Sequence, residues 1–466
     1  MKKTTRIIAM LLCAVMMLGI FVGCQKQDPT PTITGPTTEP TTAPTTEPAE
    51  QTWKDAYTDE QIAGFYNTAI KIGYTESFKY ATKGYTVGSG ENAEQVVYFF
   101  DLVREKFPNA EFVKIEDEND TAAIIAANCD VVFGLNTYTL QALKAASALK
   151  EFTPEWAEEV GANLNDDDNM YFAIAKDMVI SVYRTAGVYT DSADTAKHQD
   201  NETFGGMDVI DVNNIADLWA EGSAYVGKYE LDKYMNDWND ITNKTLLVGL
   251  LSNYIDTTAT DTDCVSAEGW AALQALLDGR SKEWVDAETQ KGVTNTGAYI
   301  NNYSNTLISI DCASNAIDKM AWYWAAGKAA RLAVVEYGAV PTYIYGAAIT
   351  ASTTNVEAAQ LFMDYIGAAS TIVEMSKHVR TLIPANTTVF NETNVKELDE
   401  NGSGSEYKDY TAALDEAGNT VVRIIPSRQY MLPVSQIEAQ DIDWDVVCQH
   451  LDAWIARANA MTNPEV

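Results

Sequence analysis

Ala126-Ala127-Asn128-Cys129-Asp130-Val131-Val132-Phe133-Gly134 leads from the end of a helix, residues 120–127, into a short apolar strand, residues 130–134. An apolar run of that length suits a strand covered on both faces. Downstream, Thr137 caps a helix that reaches residue 149. Upstream the pattern predicts a strand over 112–115 and a helix over 91–107, stopped by Pro108-Asn109 and entered from the turn Gly88-Ser89-Gly90. Before these come a strand over 70–74 and a helix over 58–69, with Thr58 as cap and Gln61 three residues on. Strands alternating with helices at this spacing imply βαβ units and a mostly parallel sheet.

The alternation returns further along. Residues 224–231, 307–310, 333–335 and 343–350 read as strands. Helices are predicted over 242–255, 266–277, 355–367 and 443–458, with another through Met320 to Trp324. Two α/β units joined through the middle of the chain suggest two lobes with a cleft between them. In open α/β sheets, ligands bind beyond the carboxyl ends of the strands, where helix N-termini present free N–H groups.

The N-terminal fifty residues read as something other than fold. Lys2, Lys3 and Arg6 precede an apolar run from Ile7 to Val22, shorter than an ordinary membrane span. Phe21-Val22-Gly23-Cys24 resembles the bacterial lipoprotein box, which implies cleavage before Cys24 and lipidation of its thiol. Two or more acyl chains hold a protein on a membrane where one does not. Residues 25–50 are nearly all Thr, Pro, Glu and Gln, with the unit Thr-Thr-Glu/Ala-Pro repeated from Thr37 to Pro48. Such a segment has little apolar surface to offset its ordering entropy, and its prolines favour an extended spacer. The expected organisation is a signal peptide over 1–23, a lipid anchor and linker over 24–52, a first part of lobe 1 over 53–185, lobe 2 over 186–339, and a return to lobe 1 with C-terminal helices over 340–466.

Charge and cysteine usage narrow the function. The chain has 66 acidic and 32 basic side chains, a net charge of −34. Loss of residues 1–23 removes Lys2, Lys3 and Arg6 and no acid, leaving −37. Such a surface repels nucleic acid, and no nucleic-acid partner is expected. Cys129, Cys264, Cys312 and Cys448 are far apart and lack the paired spacing of a zinc site; Cys129 suits a buried thiol. His198, His378 and His450 fall in no ligand spacing, and there is no GxGxxG, GxSxG or P-loop. Asp166-Asp167-Asp168-Asn169 lacks the spacing of a calcium loop and reads as solvated. No cofactor and no metal site are expected. A glycosidase built on two of the many carboxylates stays open on the residues alone.

Several stretches, in order, resemble bacterial extracellular solute-binding proteins of ABC importers, in the branch of ferric, phosphonate and polyamine binders. They are 126–134; Tyr171 to Thr185, similar to an inter-lobe crossing strand; Asp217-Leu218-Trp219 with Tyr225 to Tyr229; Glu336 to Pro341 with Ala347-Ala348-Ile349, similar to a returning hinge strand; Asn355 to Ile366; and Asp441-Ile442-Asp443-Trp444. The resemblance implies a two-lobed type II periplasmic-binding fold, each lobe a mostly parallel sheet flanked by helices, with a hinge of two crossing segments near Tyr183 and Val340. It implies a monomer that is no enzyme, anchored outside the cell membrane or periplasmic, handing a small ligand to a membrane permease. Sugar binding, or polymer binding at the surface without an importer, are the alternatives. By position it implies ligand contacts at Tyr74, Thr75 and Glu76 in the loop with Ser77, and at Asn136, Thr137 and Tyr138. In lobe 2 it implies Asn239, Asp240, Thr242 and Asn243, and Asp311, Ser314 and Asn315. The Thr, Asn, Asp and Ser residues among these are also the types that ordinarily cap helices. Ferric-binding members commonly carry paired tyrosines where this chain has Asp311-Cys312-Ala313-Ser314-Asn315, which argues against a bare iron site.

Overall fold

The computed structural model describes residues 52–87, 94–184, 210, 212–231, 237–258, 263–281, 306–318, 332–379, 381–401, 410–414, 420–423 and 427–462. The signal peptide, Cys24, the Thr/Pro segment up to 51, the 88–90 turn, His198 and Trp322-Tyr323-Trp324 lie outside them. Trp53–Val466 form one compact unit.

Its central sheet has ten strands: β1 Lys71–Thr75, β2 Glu111–Ile115, β3 Val131–Asn136, β4 Leu149–Lys150, β5 Phe172–Arg184, β6 Tyr229–Leu231, β7 Ile308–Cys312, β8 Leu332–Val334, β9 Thr342–Thr350 and β10 Ile383–Pro384. The order is β2-β1-β3-β9-β5-β7-β6, with β4 on β9 and both β8 and β10 on β5. In lobe 1, β2, β1 and β3 run parallel, and β9 lies antiparallel to β3 and to the first half of β5. In lobe 2, the second half of β5 pairs antiparallel with β7 and β8, and β6 runs parallel to β7. β5 therefore belongs to both lobes. Its thirteen residues span about 40 Å at the rise of a strand.

The apolar runs form strands because both faces are covered. All six residues of β3 are buried. Phe133 stacks on Phe99, with ring centroids 4.3 Å apart, and meets Phe78 edge-on at 5.0 Å. A fully buried Phe stabilises by roughly 1.5–3 kcal/mol through area alone. Gly134 ends the apolar run with a φ of +75°, and a Cβ there would sit 2.1 Å from the Phe78 ring. Only glycine suits that position.

Local expectations need four corrections. Residues 91–107 are not one helix: Glu94–Val97 pairs antiparallel with Gly84–Val87, and the helix is Tyr98–Lys106. The β-branched Val96 and Val97 favour a strand once a partner exists. The helix Thr137–Ala145 is capped by Asn136, whose side chain accepts from the Thr139 N–H, and not by Thr137. Only Tyr229–Leu231 of 224–231 is strand, because Gly222 and Gly227 at positive φ turn the chain before it. Asp166 is buried rather than solvated, because Lys144 reaches it at 2.6 Å. The Thr58–Gln61 capping box forms as read, on the helix Asp59–Tyr66.

The lobes are joined by more than the two crossings expected. β5 is one, and Ala339 to Thr342, leading into β9, is the second. A third pass, Glu438–Ala439, runs parallel to Ala339–Val340. It leads into the helix Trp444–Thr462, which packs with lobe 2: Trp454 Nε1 donates to the Asp263 carbonyl at 2.7 Å, and Trp238 Nε1 to Thr462 Oγ1 at 2.8 Å. Lys176 of β5 holds the third pass, its Nζ donating to the carbonyls of Ser435 at 2.9 Å and Ile437 at 3.3 Å.

Burial pulls Lys176 down to about 8 from 10.5. Below pH 8 the folded and unfolded states both carry the proton, and the cost of burying the ammonium is fully present. Between about 8 and the unfolded value the folded protein sheds the proton and that cost fades. The stability contributed by this residue therefore rises with pH in that window, by on the order of 1 kcal/mol per pH unit. Urea unfolding of the protein and of Lys176→Met at pH 7 to 10 checks it: their difference should grow in favour of the parent above pH 8, and a constant difference would refute the assignment.

Candidate functional site

The C-terminal ends of the parallel strands of both lobes converge on one junction, beside the middle of β5. From lobe 1 come the turn after β1, the loop after β2 and the helix start after β3. Thr75 Oγ1 donates to the Gly134 carbonyl at 3.0 Å and lies 3.1 Å from Ser77 Oγ, which locks the first and third of these together. Ser77 Oγ donates to a Glu118 carboxylate oxygen at 2.5 Å, and Thr139 Oγ1 donates to the Glu118 carbonyl, which adds the second. Asn136 and Thr137 are buried; Thr137 Oγ1 accepts from the Ile344 N–H of β9 at 2.8 Å.

Lobe 2 answers with the helix Ile241–Ser252. Asp240 caps it, accepting from Thr242 and Asn243 N–H groups at 3.0 and 3.4 Å. Asn243 Nδ2 donates to the Asp237 carbonyl, and Asn239 is held by the Asp237 carboxylate. The lobes touch at Tyr138. Its hydroxyl lies 3.1 Å from Thr245 Oγ1, and because Thr245 donates its own proton to the Ile241 carbonyl, Tyr138 is the donor. Lys244 Nζ lies 4.9 Å from the centre of the Tyr138 ring, and Trp444 meets that ring edge-on at 5.7 Å. Burial lowers the Lys244 pKa, opposed by Asp240, Asp452, Glu118 and Asp237.

The second lobe-2 segment follows β7. Asp311 is buried and accepts from the Cys312 N–H and from Asn315 Nδ2, both at 2.8 Å. Ser314 turns to β5: its hydroxyl donates to Asp177 at 2.5 Å and its N–H at 3.1 Å, while Tyr343 of β9 donates to the same carboxylate at 3.1 Å. Burial raises the Asp177 pKa against these four bonds, counting the one from Met178 N–H. Tyr345, on the same face, stacks on Phe78 with centroids 5.0 Å apart.

The structure thus places Thr75, Asn136, Thr137, Tyr138, Asp240, Thr242, Asn243, Asp311, Ser314 and Asn315 around one junction, mostly as caps and framework donors. Asn239 is exposed at its edge. Tyr74 packs instead on Phe100, and Glu76 pairs at the surface with Lys114. The sequence reading did not single out Glu118, Asp177, Lys244, Tyr343 or Tyr345. Glu118 was within reach, since it follows a parallel strand as Thr75 and Asn136 do. A cavity of about 560 Å³ lies on the other face of β9, lined by Ile344, Lys144, Asp166, Tyr171 and Asp443, and it meets the junction at Thr137 and Trp444.

Two α/β lobes sharing one crossing strand, with strand ends facing each other across the join, define the type II periplasmic-binding fold. No protein-family model and no curated protein sequence matches the chain. Solved structures do. A ferric binding protein from Bordetella aligns over 84% of this chain and 99% of its own, at 10% identity and TM-score 0.52. Ferric iron-binding protein A of Mannheimia haemolytica, in an open conformation, aligns over 85% and 99% at 10% identity and TM-score 0.50. At these identities the likeness is one of fold.

The Tyr138–Thr245 contact is testable by a double-mutant cycle. Tyr138→Phe and Thr245→Val, singly and together, should show a coupling of about 1 kcal/mol in urea unfolding. Additive effects would mean that the two hydroxyls do not meet.

Proposed function

We propose that this chain is a solute receptor, not an enzyme, which captures a small ligand between its lobes and presents it to an ABC permease. What carries the reading is the single strand β5 paired in both lobes, with Thr75, Asn136 and Asp240 holding the facing loops at its side. Such a join lets two rigid bodies turn about a few residues while their facing loops close on a ligand. Ligand that touches both lobes shifts the balance toward the closed form. The ligand classes in view are an iron chelate, a phosphonate or a polyamine. The Bordetella and Mannheimia neighbours are ferric-binding proteins, which favours iron among these.

Cys24 would carry the lipid and residues 25–52 would hold the body off the membrane, with the protein monomeric at the outer face or in the periplasm. Among the described residues no helix is long and apolar enough to cross a membrane. Lobe 1 would comprise 53–185 and the return that begins at 340, and lobe 2 residues 186–339, with the C-terminal helix Trp444–Thr462 packed on lobe 2.

Ligand at a hundred times its Kd stabilises the fold by about 2.7 kcal/mol, a shift of a few degrees. A thermal-shift screen of sugars, polyamines, phosphonates, thiamine and ferric chelates should therefore find one that raises Tm without being consumed. Ser77→Ala with Glu118→Gln should then weaken its binding at least tenfold while the Tm of the free protein changes little. Turnover of any of these compounds would replace the receptor by an enzyme.

A further inference from the structure

Two ionisable side chains stand next to each other on β5, and they face opposite ways. Lys176 and Asp177 are 5% and 2% exposed. Successive strand residues point to opposite faces, so the two do not pair with each other. Lys176 lies across from Ile344 of β9 and Ile383 of β10. Its ammonium reaches past them to the carbonyls of Ser435 and Ile437, where the helix Ser427–Ser435 ends and the third inter-lobe pass begins. A cation at a helix C-terminus also meets the negative end of its dipole. Asp177 lies across from Tyr343 and accepts hydrogen bonds from its hydroxyl and from Ser314. Tyr343 is on the second crossing, and Ser314 opens the helix after β7 in lobe 2.

These two residues therefore bond β5 to every other segment of the join. The bonds are made to neutral groups. A buried ion held only by neutral dipoles recovers part of its lost hydration, and apolar side chains of like size often serve stability as well or better. Stability does not account for two such ions in adjacent positions. Geometry does: each fixes one connection at a set height on β5.

We propose that Lys176 and Asp177 are the pins of the hinge: on one face of the crossing strand Lys176 holds the third pass, and on the other Asp177 ties Ser314 of lobe 2 to Tyr343 of the return strand, so that the lobes turn about one axis. The proposal rests on the reading of the molecule as a two-lobed receptor, but its test needs no ligand. Spin labels at Glu60 in lobe 1 and Glu221 in lobe 2, both exposed, with Cys264 and Cys448 replaced by Ser, report the inter-lobe distance by pulsed EPR. The parent should give narrow peaks. Lys176→Met and Asp177→Leu should keep the parent's circular dichroism and cooperative melting yet at least double the peak width, and Lys176→Arg should restore it. Ser314→Ala with Tyr343→Phe removes the same bonds from the other side, and should broaden the peaks if Asp177→Leu does not fold. Folded variants with the parent's peak width, whatever their Tm, would overturn the proposal. A failed ligand screen would overturn the receptor reading and leave this result standing.

Discussion

A buried strand must find partners for its backbone N–H and C=O groups along its whole length. β5 meets that demand in two places at once. Its first half is paired by β9 and β10, its second half by β7 and β8. Neither lobe can complete its sheet without it, so the lobes cannot separate, and a turn of one against the other must bend β5 near Met178 and Val179, where one set of partners hands over to the other. The facing loops, the capped helices and the Tyr138–Thr245 contact are arranged around that one shared ladder.

The junction beside β5 combines two kinds of polar group. Thr75 and Thr137 bond to neighbouring segments, while Asn136, Asp240 and Asp311 bond to groups two to four residues on in their own, and together they hold the shape of the rim. Satisfied in this way, they gain nothing from a ligand and would lose by rearranging to meet one. Ser77, Glu118, Tyr138 and Lys244 differ. Their bonds join side chain to side chain or lobe to lobe, and such contacts can be exchanged as the lobes turn. A small solute would compete for these and would find the first group fixed. Capping and recognition are thus not rival readings of the rim: the caps set the stage and other residues act on it.

Periodicity and local chemistry were enough for the buried parallel strands of lobe 1 and for its first helix. Val131 to Leu135 is a continuous apolar run because a strand between β1 and β9 is covered on both faces, and Thr58 with Gln61 announces a helix within four residues. The failures came where the partner is distant in sequence. Val96 and Val97 leave helix for strand because Gly84–Val87 folds back on them. Asp166 is drawn inward by Lys144, 22 residues away. Asp177 and Tyr343, 166 residues apart, share a proton that nothing in either stretch announces. Lys176 and Ser435 are separated by 259 residues, and the third pass was invisible for that reason. Strand ends could be found from sequence; the side chains that tie the strands across the hinge could not.

The tyrosines of the return strand bear on what the cleft can hold. A bare ferric ion is a hard cation that takes charged oxygen ligands, phenolate among them. Tyr343 and Tyr345 lie on the cleft face of β9, and their phenols are pushed well up, chiefly by burial and then by the negative charge of Asp177. The Tyr343 hydroxyl already donates its hydrogen bond to that carboxylate. Forming a phenolate there would leave two anions 3.1 Å apart in a dry site, unless the metal entered in the same step. Tyr345 is held against Phe78 by its ring face and has 8% of its surface exposed. Both are better placed as hinge and floor than as metal ligands. These two tyrosines therefore offer no ready phenolate, and on the proposed receptor reading an iron cargo would have to arrive with its own chelating oxygens.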